Sequence, residues 1–171
     1  MTRLSVTMLN QLDGASFAAE LDGIFEGSPW IVQAAAERRP FADRAALLAA
    51  CAAVIADADT DRHVALICAH PDLAGRAALA GTLTRESAGE QASVGLDRLD
   101  PAEFARFHAL NQAYRDRFAF PFVICVRRQT KQSILAAFER RLLNDAATEI
   151  AAALAEILAI AEIRLAERIA L

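Results

Sequence analysis

Glycine, proline and cysteine are scarce in this sequence of 171 residues, which contains seven Gly, five Pro and three Cys. This scarcity excludes a collagen-like repeat, a Pro/Gly-rich disordered chain and a small disulfide scaffold. The cysteines Cys51, Cys68 and Cys125 are odd in number, lie in apolar surroundings and form no Cys-x-x-Cys pair. We therefore expect three buried free thiols in a reducing compartment, and no structural zinc site.

An excess of basic residues and a long hydrophobic run are missing as well. The formal net charge is −4, and we interpret the arginine pairs at residues 38–39, 127–128 and 140–141 as solvated surface. The longest apolar run, residues 45–56, is too short to cross a bilayer, and the N-terminal residues lack the apolar core of a signal peptide. The expectation is a cytoplasmic protein that binds neither nucleic acid nor a membrane.

Alanine and leucine dominate what the sequence does contain, and hydrophobic residues make up 55% of it. Apolar residues recur at spacings of three and four, which predicts amphipathic helices and a single all-α domain spanning residues 1–171. Residues 120–126 are the one segment that resembles a strand, and they fit an extended loop equally well. Helices are predicted over Ser16–Phe25, Trp30–Glu37, Asp43–Asp57, Asp61–Cys68, Pro101–Phe118, Thr130–Asn144 and Thr148–Arg168, with Asp100 as an N-cap.

A polar segment rich in glycine follows Pro71, and four of the seven glycines fall within residues 75–95. An irregular polar segment between apolar helices is a common position for a functional site. His70 ends the apolar stretch before this segment, so its ring either faces a cavity or closes a helix C-terminus. We expect His63 and His108 to be surface or packing residues.

Ser87, Glu90 and Gln91 would present a hydroxyl, a carboxylate and an amide within about one helical turn. Such a set suits a polar ligand that makes several hydrogen bonds. Ser87-x-x-Glu90 is also a capping-box pattern, so a purely structural role at a helix start is the alternative.

Arg164 lies at the edge of the apolar arc of the last predicted helix and points inward on a helical wheel. A buried guanidinium needs an anion or several acceptors. The partner is therefore either an internal carboxylate or a bound ligand.

Other catalytic templates are missing from the sequence. It contains no Gly-x-Ser-x-Gly, no P-loop, no Gly-x-Gly-x-x-Gly and no His-Glu-x-x-His. The three histidines show no metal-ligand spacing, so we expect neither a metal nor another cofactor.

Several motifs together resemble one known family, the 2-oxo-4-hydroxy-4-carboxy-5-ureidoimidazoline (OHCU) decarboxylases, over nearly the whole chain. The combination of HPDLAG and SxxEQ at this spacing is specific. The motifs are HPDLAG at residues 70–75, LTRESAGEQ at 83–91, GL at 95–96, LNxxY at 110–114, FAFPFVI at 118–124 and IAEIRL at 160–165, with FEGSPW at 25–30 and RPF at 39–41 upstream.

The resemblance implies an all-helical fold and a site for each residue that matches a family motif. His70 and Glu90 would be catalytic. The substrate would be bound by Pro71, Ser87, Gln91, Arg164 and the main chain around Phe122, Val123, Ile124, Cys125 and Val126.

The resemblance also implies an activity: decarboxylation of OHCU to (S)-allantoin in urate degradation, without a cofactor and with protonation of one face. A homodimer is plausible from the family. The alternatives are a non-catalytic helical domain that binds a purine-like heterocycle and a decarboxylase of a related ureide.

Two positions depart from the family pattern. Ala119 stands where the family usually has glycine, which affects backbone geometry beside the expected pocket, and Gly27 stands where it often has histidine, which affects packing. Neither departure removes a proposed catalytic group.

Overall fold

The computed structural model describes residues 4–170, and helices dominate this part of the chain. Within it no β-strand forms, and a single parallel bridge joins Leu4 to Ile169. The predicted all-α class is confirmed. The helices are α1 (Val6–Gln11), α2 (Gly14–Glu20), α3 (Trp30–Ala36), α4 (Arg44–Ala56), α5 (Thr60–Cys68), α6 (Arg76–Leu79), α7 (Arg85–Ser93), α8 (Pro101–Phe118), α9 (Lys131–Arg141) and α10 (Ala146–Arg168), with a 3₁₀ turn at Val126–Arg128.

Two compact units divide the chain. The first comprises the residues up to Leu66 together with those from Ile157 onward, and the second comprises Ile67–Glu156. The single domain expected for residues 1–171 therefore stays a prediction.

The first unit packs α3 against both α2 and α4. Its core consists of apolar side chains that point inward from these helices, among them Phe17, Ile31 and Leu47. Carboxylate N-caps begin two of the helices: Asp13 accepts from the main-chain N–H of Ser16, and Asp43 accepts from that of Ala46. Such caps satisfy main-chain donors that the first helical turn leaves without partners.

The second unit is built around an aromatic cluster. Tyr114 of α8 contacts the rings of Phe118 on the same helix and Phe138 on α9, and the rings of Phe122 and Phe138 stack with their centroids 3.7 Å apart. Aromatic rings bury a large apolar area, so this cluster supplies much of the packing that joins α8, α9 and the segment after α8.

The sequence pattern located the long helices closely. The helix over Pro101–Phe118 begins as predicted, with a capping box between Asp100 and Glu103. The pattern missed the short helices α1, α6 and α7, and the first predicted helix, Ser16–Phe25, begins two residues early and already ends at Glu20. Between Glu20 and Trp30, Gly23 and Gly27 adopt φ values of 80° and 54°, which interrupt a regular helix.

Residues 121–125 form neither helix nor strand, so the loop alternative for this segment is the correct one. Of the three thiols, Cys51 and Cys125 are buried, but Cys68 is exposed, and that part of the expectation is wrong. Cys68 is the last residue of α5, where its side chain leaves the buried face. Burial raises the pKa of the Cys51 thiol to about 12. No helix in residues 4–170 is both long and apolar enough to span a membrane.

Candidate active site

His70 lies two residues beyond the end of α5 and begins an irregular loop. Its main-chain N–H donates to the carbonyl oxygen of Ile67 at 3.1 Å, which closes the helix, and its side chain is buried, with 6% of the residue exposed. Pro71 follows it and is half-buried. The main-chain bond fits the interpretation that His70 closes a helix C-terminus, and the alternative, a ring that faces a cavity, stays a prediction.

Three side chains from α7 and α8 fix the loop that His70 begins. From α7, the amide of Gln91 accepts from the N–H of Ala74 at 2.9 Å and donates to the carbonyl oxygen of Asp72 at 3.4 Å. From α8, Asn111 donates to the carbonyl oxygen of Leu73 at 2.8 Å. Arg115 of the same helix donates to both carboxylate oxygens of Asp72, at 3.0 and 3.1 Å.

The loop contains two positions at which the backbone tolerates few residues. Ala74 adopts a φ of 50°, in the left-handed region that L-residues rarely occupy. A Cβ atom on Gly75 would lie 2.6 Å from the Cβ of Asp72, so only glycine fits there without a shift. Backbone strain of this kind persists where the surroundings determine the conformation, as the bond from Ala74 to Gln91 does here.

Helix α7 carries the residues predicted at Ser87, Glu90 and Gln91. Its N-cap is Thr84, whose hydroxyl accepts from the main-chain N–H of Ser87. The capping-box interpretation of Ser87-x-x-Glu90 is therefore wrong, because the helix begins earlier, at Arg85. Ser87 and Gln91 are one turn apart and buried, whereas Glu90 is half-buried.

The segment Phe122–Val126 is buried along its whole length. Its 3₁₀ turn packs against α7, the helix that carries Glu90. Burial raises the pKa of the Cys125 thiol; the Arg128 cation opposes this shift, and the negative charges of Glu156 and then Glu90 add to it. The second unit thus brings the HPDLAG loop, α7 and this segment together.

A buried ion pair supports the same segment and was missed from the sequence. Arg141 donates through Nε to both oxygens of Glu149, at 3.2 and 3.0 Å, and through Nη1 to the carbonyl oxygen of Val123 at 2.8 Å. The Tyr114 hydroxyl donates to the same carboxylate. Burial, followed by the bond to Glu149, raises the pKa of the Tyr114 phenol.

Arg141 contradicts the interpretation of residues 140–141 as solvated surface, since only 7% of it is exposed. The signal in the sequence is its spacing. Ile134, Ala137 and Phe138 are buried on α9, and Arg141 continues that face at the next turn.

Arg164 belongs to the first unit, whereas the other predicted site residues belong to the second. It is buried, as the helical wheel predicted, with 4% exposed. Its Nη1 donates to the carbonyl oxygen of Gly23 at 2.8 Å and to the carboxylate of Glu26, also buried, at 3.1 Å. The sequence predicted that Arg164 pairs with either an internal carboxylate or a bound ligand, and the structure contains the internal carboxylate.

The two remaining histidines behave as surface or packing residues. Nε2 of His63 lies 2.7 Å from the carbonyl oxygen of Ile55, and His108 is exposed and stacks on Phe104. Among residues 4–170, no three His, Cys, Asp or Glu side chains are grouped closely enough to bind a metal ion.

These features define a class: an all-α protein in which a buried histidine begins a loop fixed by amide side chains. Comparison with known proteins gives the family. A profile described as OHCU decarboxylase matches residues 10–166, and the chain belongs to that family.

Named relatives agree with this assignment. A 2-oxo-4-hydroxy-4-carboxy-5-ureidoimidazoline decarboxylase of Haloferax volcanii is 40% identical over 98% of this chain and 98% of its own length. A uric acid degradation bifunctional protein of Bacillus subtilis is 38% identical over 93% of this chain, which spans 31% of that protein.

A solved structure described as (S)-allantoin synthase superposes with a TM-score of 0.79 at 31% identity. It covers 98% of this chain, and this chain covers 54% of it. The resemblance inferred from the motifs is confirmed.

Proposed function

We propose that this chain catalyses the decarboxylation of OHCU to (S)-allantoin without a cofactor, and that it adds a proton to one face of the ring. The observation that carries the proposal is the burial of His70 in a loop fixed by Gln91 and Asn111, in a chain of the OHCU decarboxylase family. A curated relative that spans almost the same length carries the name of this decarboxylase.

The reaction itself needs no external electron acceptor. The ring carbon that loses CO₂ also carries a hydroxyl group and adjoins a ring C=N unit. The electron pair of the breaking C–C bond moves into that unit, the ring nitrogen takes up a proton, and an enol remains. Protonation of the neighbouring carbon and loss of the hydroxyl proton then give the carbonyl group and the stereocentre of allantoin. In sum, one proton is taken up for each CO₂ released.

We assign the proton transfer to His70 as general acid and base, because the two nitrogens of an imidazole ring can accept and donate a proton. Burial restricts the ring to few orientations, so the proton arrives from one side. Glu90 is assigned as the second catalytic group. Its carboxylate lies on the helix that packs against the 3₁₀ turn after Cys125.

Substrate binding is assigned to the residues that match the family's motifs. The Gln91 amide bonds the loop through its oxygen and one N–H, and its other N–H is available for the ureido carbonyl. Ser87 and Pro71 contact the ureido arm, and the main chain of 122–126 binds the ring. Arg164, which pairs with Glu26 in this structure, is assigned to an anionic oxygen of the substrate because it matches the arginine of the family's motif in the last helix.

The test generates OHCU in the cuvette from urate with urate oxidase and hydroxyisourate hydrolase, and follows circular dichroism after this protein is added. We expect the (S)-allantoin signal to develop faster than in the slow spontaneous reaction. Saturable OHCU binding without faster product formation would favour a binding domain. If the protein does not accelerate this reaction but releases CO₂ from another ureide, its substrate is that related ureide.

We also propose a homodimer and a cytoplasmic location. The free thiols Cys51, Cys68 and Cys125 suit a reducing compartment, and the chain is rich in apolar helices. Light scattering coupled to size-exclusion chromatography tests the dimer, and cell fractionation tests the location. A monomer at all protein concentrations would overturn the first proposal, and enrichment outside the cytoplasm would overturn the second.

A further inference from the structure

Helix α10 presents two glutamates, Glu149 and Glu156, that lie seven residues apart and both face the segment 122–126. Glu149 contacts the segment indirectly, because it binds Arg141 and Arg141 donates to the carbonyl oxygen of Val123 at 2.8 Å. Glu156 acts directly, since its carboxylate accepts from the main-chain N–H of Cys125 at 2.8 Å. Two side-chain contacts therefore fix the segment at positions two residues apart.

The segment depends on such contacts because it is neither helix nor strand. Regular structure would fix the direction of each peptide group by its hydrogen-bond ladder, and residues 121–125 have no such ladder. A carboxylate that accepts from a main-chain N–H forms a charge-assisted bond, about twice as strong as a neutral one. The bond from Cys125 to Glu156 is therefore suited to fix the orientation of a loop.

We propose that Glu156 is a positioning residue for substrate binding. By binding the N–H of Cys125, it fixes the direction in which the main chain of 122–126 presents its peptide groups to the substrate, and Arg141 does the same at Val123. This inference rests on the proposed function, in which that main chain binds the ring of OHCU. Glu156 itself does not touch the substrate.

Glu156 is the better residue to test, because Arg141 is buried in an ion pair whose loss would leave the charge of Glu149 unpaired in the interior. Glu156 is half-buried, so its substitution leaves the core unchanged. Glu156→Ala removes the acceptor, whereas Glu156→Gln keeps an acceptor of the same shape and removes the charge. Glu167→Ala, at an exposed position of the same helix, is the matched control.

Steady-state kinetics with OHCU and amide hydrogen exchange at Cys125 are measured for the three variants and the wild type. For Glu156→Ala we expect a KM about tenfold higher, with kcat changed by less than about threefold, because a binding contact made equally in ground and transition states is weakened. The amide of Cys125 should exchange faster in this variant. Glu156→Gln should restore KM to within about threefold of the wild type, and Glu167→Ala should resemble the wild type.

Several outcomes would overturn the inference. A wild-type KM in Glu156→Ala would do so, as would an unchanged exchange rate at Cys125. Equal impairment of Glu156→Ala and Glu156→Gln would assign the effect to charge instead of the hydrogen bond. If the wild type itself does not decarboxylate OHCU, the proposed function fails and this role in the reaction falls with it; faster exchange at Cys125 would then identify a purely structural contact.

Discussion

The side-chain oxygen of Gln91 accepts a hydrogen bond from the main-chain N–H of Ala74 at 2.9 Å, and this bond joins α7 to the loop that begins at His70. Ala74 has a positive φ of 50°, so the bond lies at the most strained point of the loop. Gln91 therefore links the position of His70, the proposed catalytic histidine, to the helix that carries Glu90. A residue interpreted from the sequence as a substrate ligand also fixes the loop that His70 begins.

Replacing Gln91 by leucine should impair both stability and catalysis. The buried N–H of Ala74 would lose its partner, which costs about 1–3 kcal/mol, and a displaced His70 should lower kcat by at least about tenfold. Urea unfolding and steady-state kinetics measure the two effects. Gln132→Leu, at an exposed position of α9, is the control. Unchanged stability and kcat in Gln91→Leu would mean that the loop does not depend on this amide.

Substitutions at Glu90 and at Thr84 should distinguish a catalytic contribution of α7 from a capping contribution to its stability. Because Thr84 is the N-cap of α7, Thr84→Ala should lower the free energy of unfolding by about 1 kcal/mol. Glu90→Ala should lower kcat/KM by about a hundredfold or more, the usual effect of losing a general acid or base, with little change in the melting temperature. A Glu90→Ala protein that melts at a lower temperature but turns over normally would assign Glu90 a structural role.

Ala119 should be replaceable by glycine with a gain in stability. It ends α8 in the left-handed conformation, with a φ of 62°, which costs an L-residue about 1–2 kcal/mol. Ala119→Gly should therefore raise the free energy of unfolding by about 1 kcal/mol, as measured by urea denaturation.

The control for Ala119→Gly is the same substitution inside α8. Ala113 is exposed and helical, so Ala113→Gly should destabilise the protein by about 0.5–1 kcal/mol. A loss of stability in Ala119→Gly as large as that in Ala113→Gly would show that the end of α8 carries no strain.

Ionisation of Tyr114 should make the free energy of unfolding depend on pH in the alkaline range. Its pKa is raised above the usual value of 10.0 by burial and by the bond to Glu149. Because its pKa is raised in the folded state, the protonated phenol contributes fully to the free energy of unfolding below pH 10. This contribution is lost as the pH rises toward the folded-state pKa. Because Tyr114 is the only tyrosine, tyrosinate absorbance reports on it alone. At pH 11 the folded protein should show little tyrosinate, and ionisation should accompany loss of helical circular dichroism.

Tyr114→Phe provides the comparison for this pH dependence. At neutral pH it should be less stable by about 2 kcal/mol, since a hydrogen bond to a buried carboxylate is lost. Its stability should also vary less between pH 9 and pH 11. Ionisation of Tyr114 near pH 10 in a fully helical wild type would contradict a buried, hydrogen-bonded phenol.

The sequence predicted those features that depend on neighbouring residues. Helix α8 is an example, because Asp100, Pro101 and the apolar spacing that follows are local signals. The inward direction of Arg164 followed from helical periodicity alone. The motifs identified the family, and the family match over residues 10–166 bears this out.

The features that were missed depend on contacts between residues distant in the sequence. Arg141 binds Val123 and Glu149 only after α9 and α10 have packed together, and Glu156 meets Cys125 across 31 residues. Cys68 was expected to be buried because its neighbours are apolar, but its position on the helix surface decides its exposure. Helix α7 was not among the predicted helices, and its N-cap is Thr84 instead of Ser87, although both residue types are acceptable N-caps.

The most direct test of the account compares the wild type with His70→Asn and His108→Asn in the coupled assay that forms OHCU from urate. We expect a rapid (S)-allantoin circular dichroism signal in the wild type and in His108→Asn, in which an exposed histidine is changed. In His70→Asn we expect only the spontaneous rate, with helical content and melting temperature retained. Near-normal turnover by a folded His70→Asn protein would contradict the assignment of His70 as the catalytic acid and base.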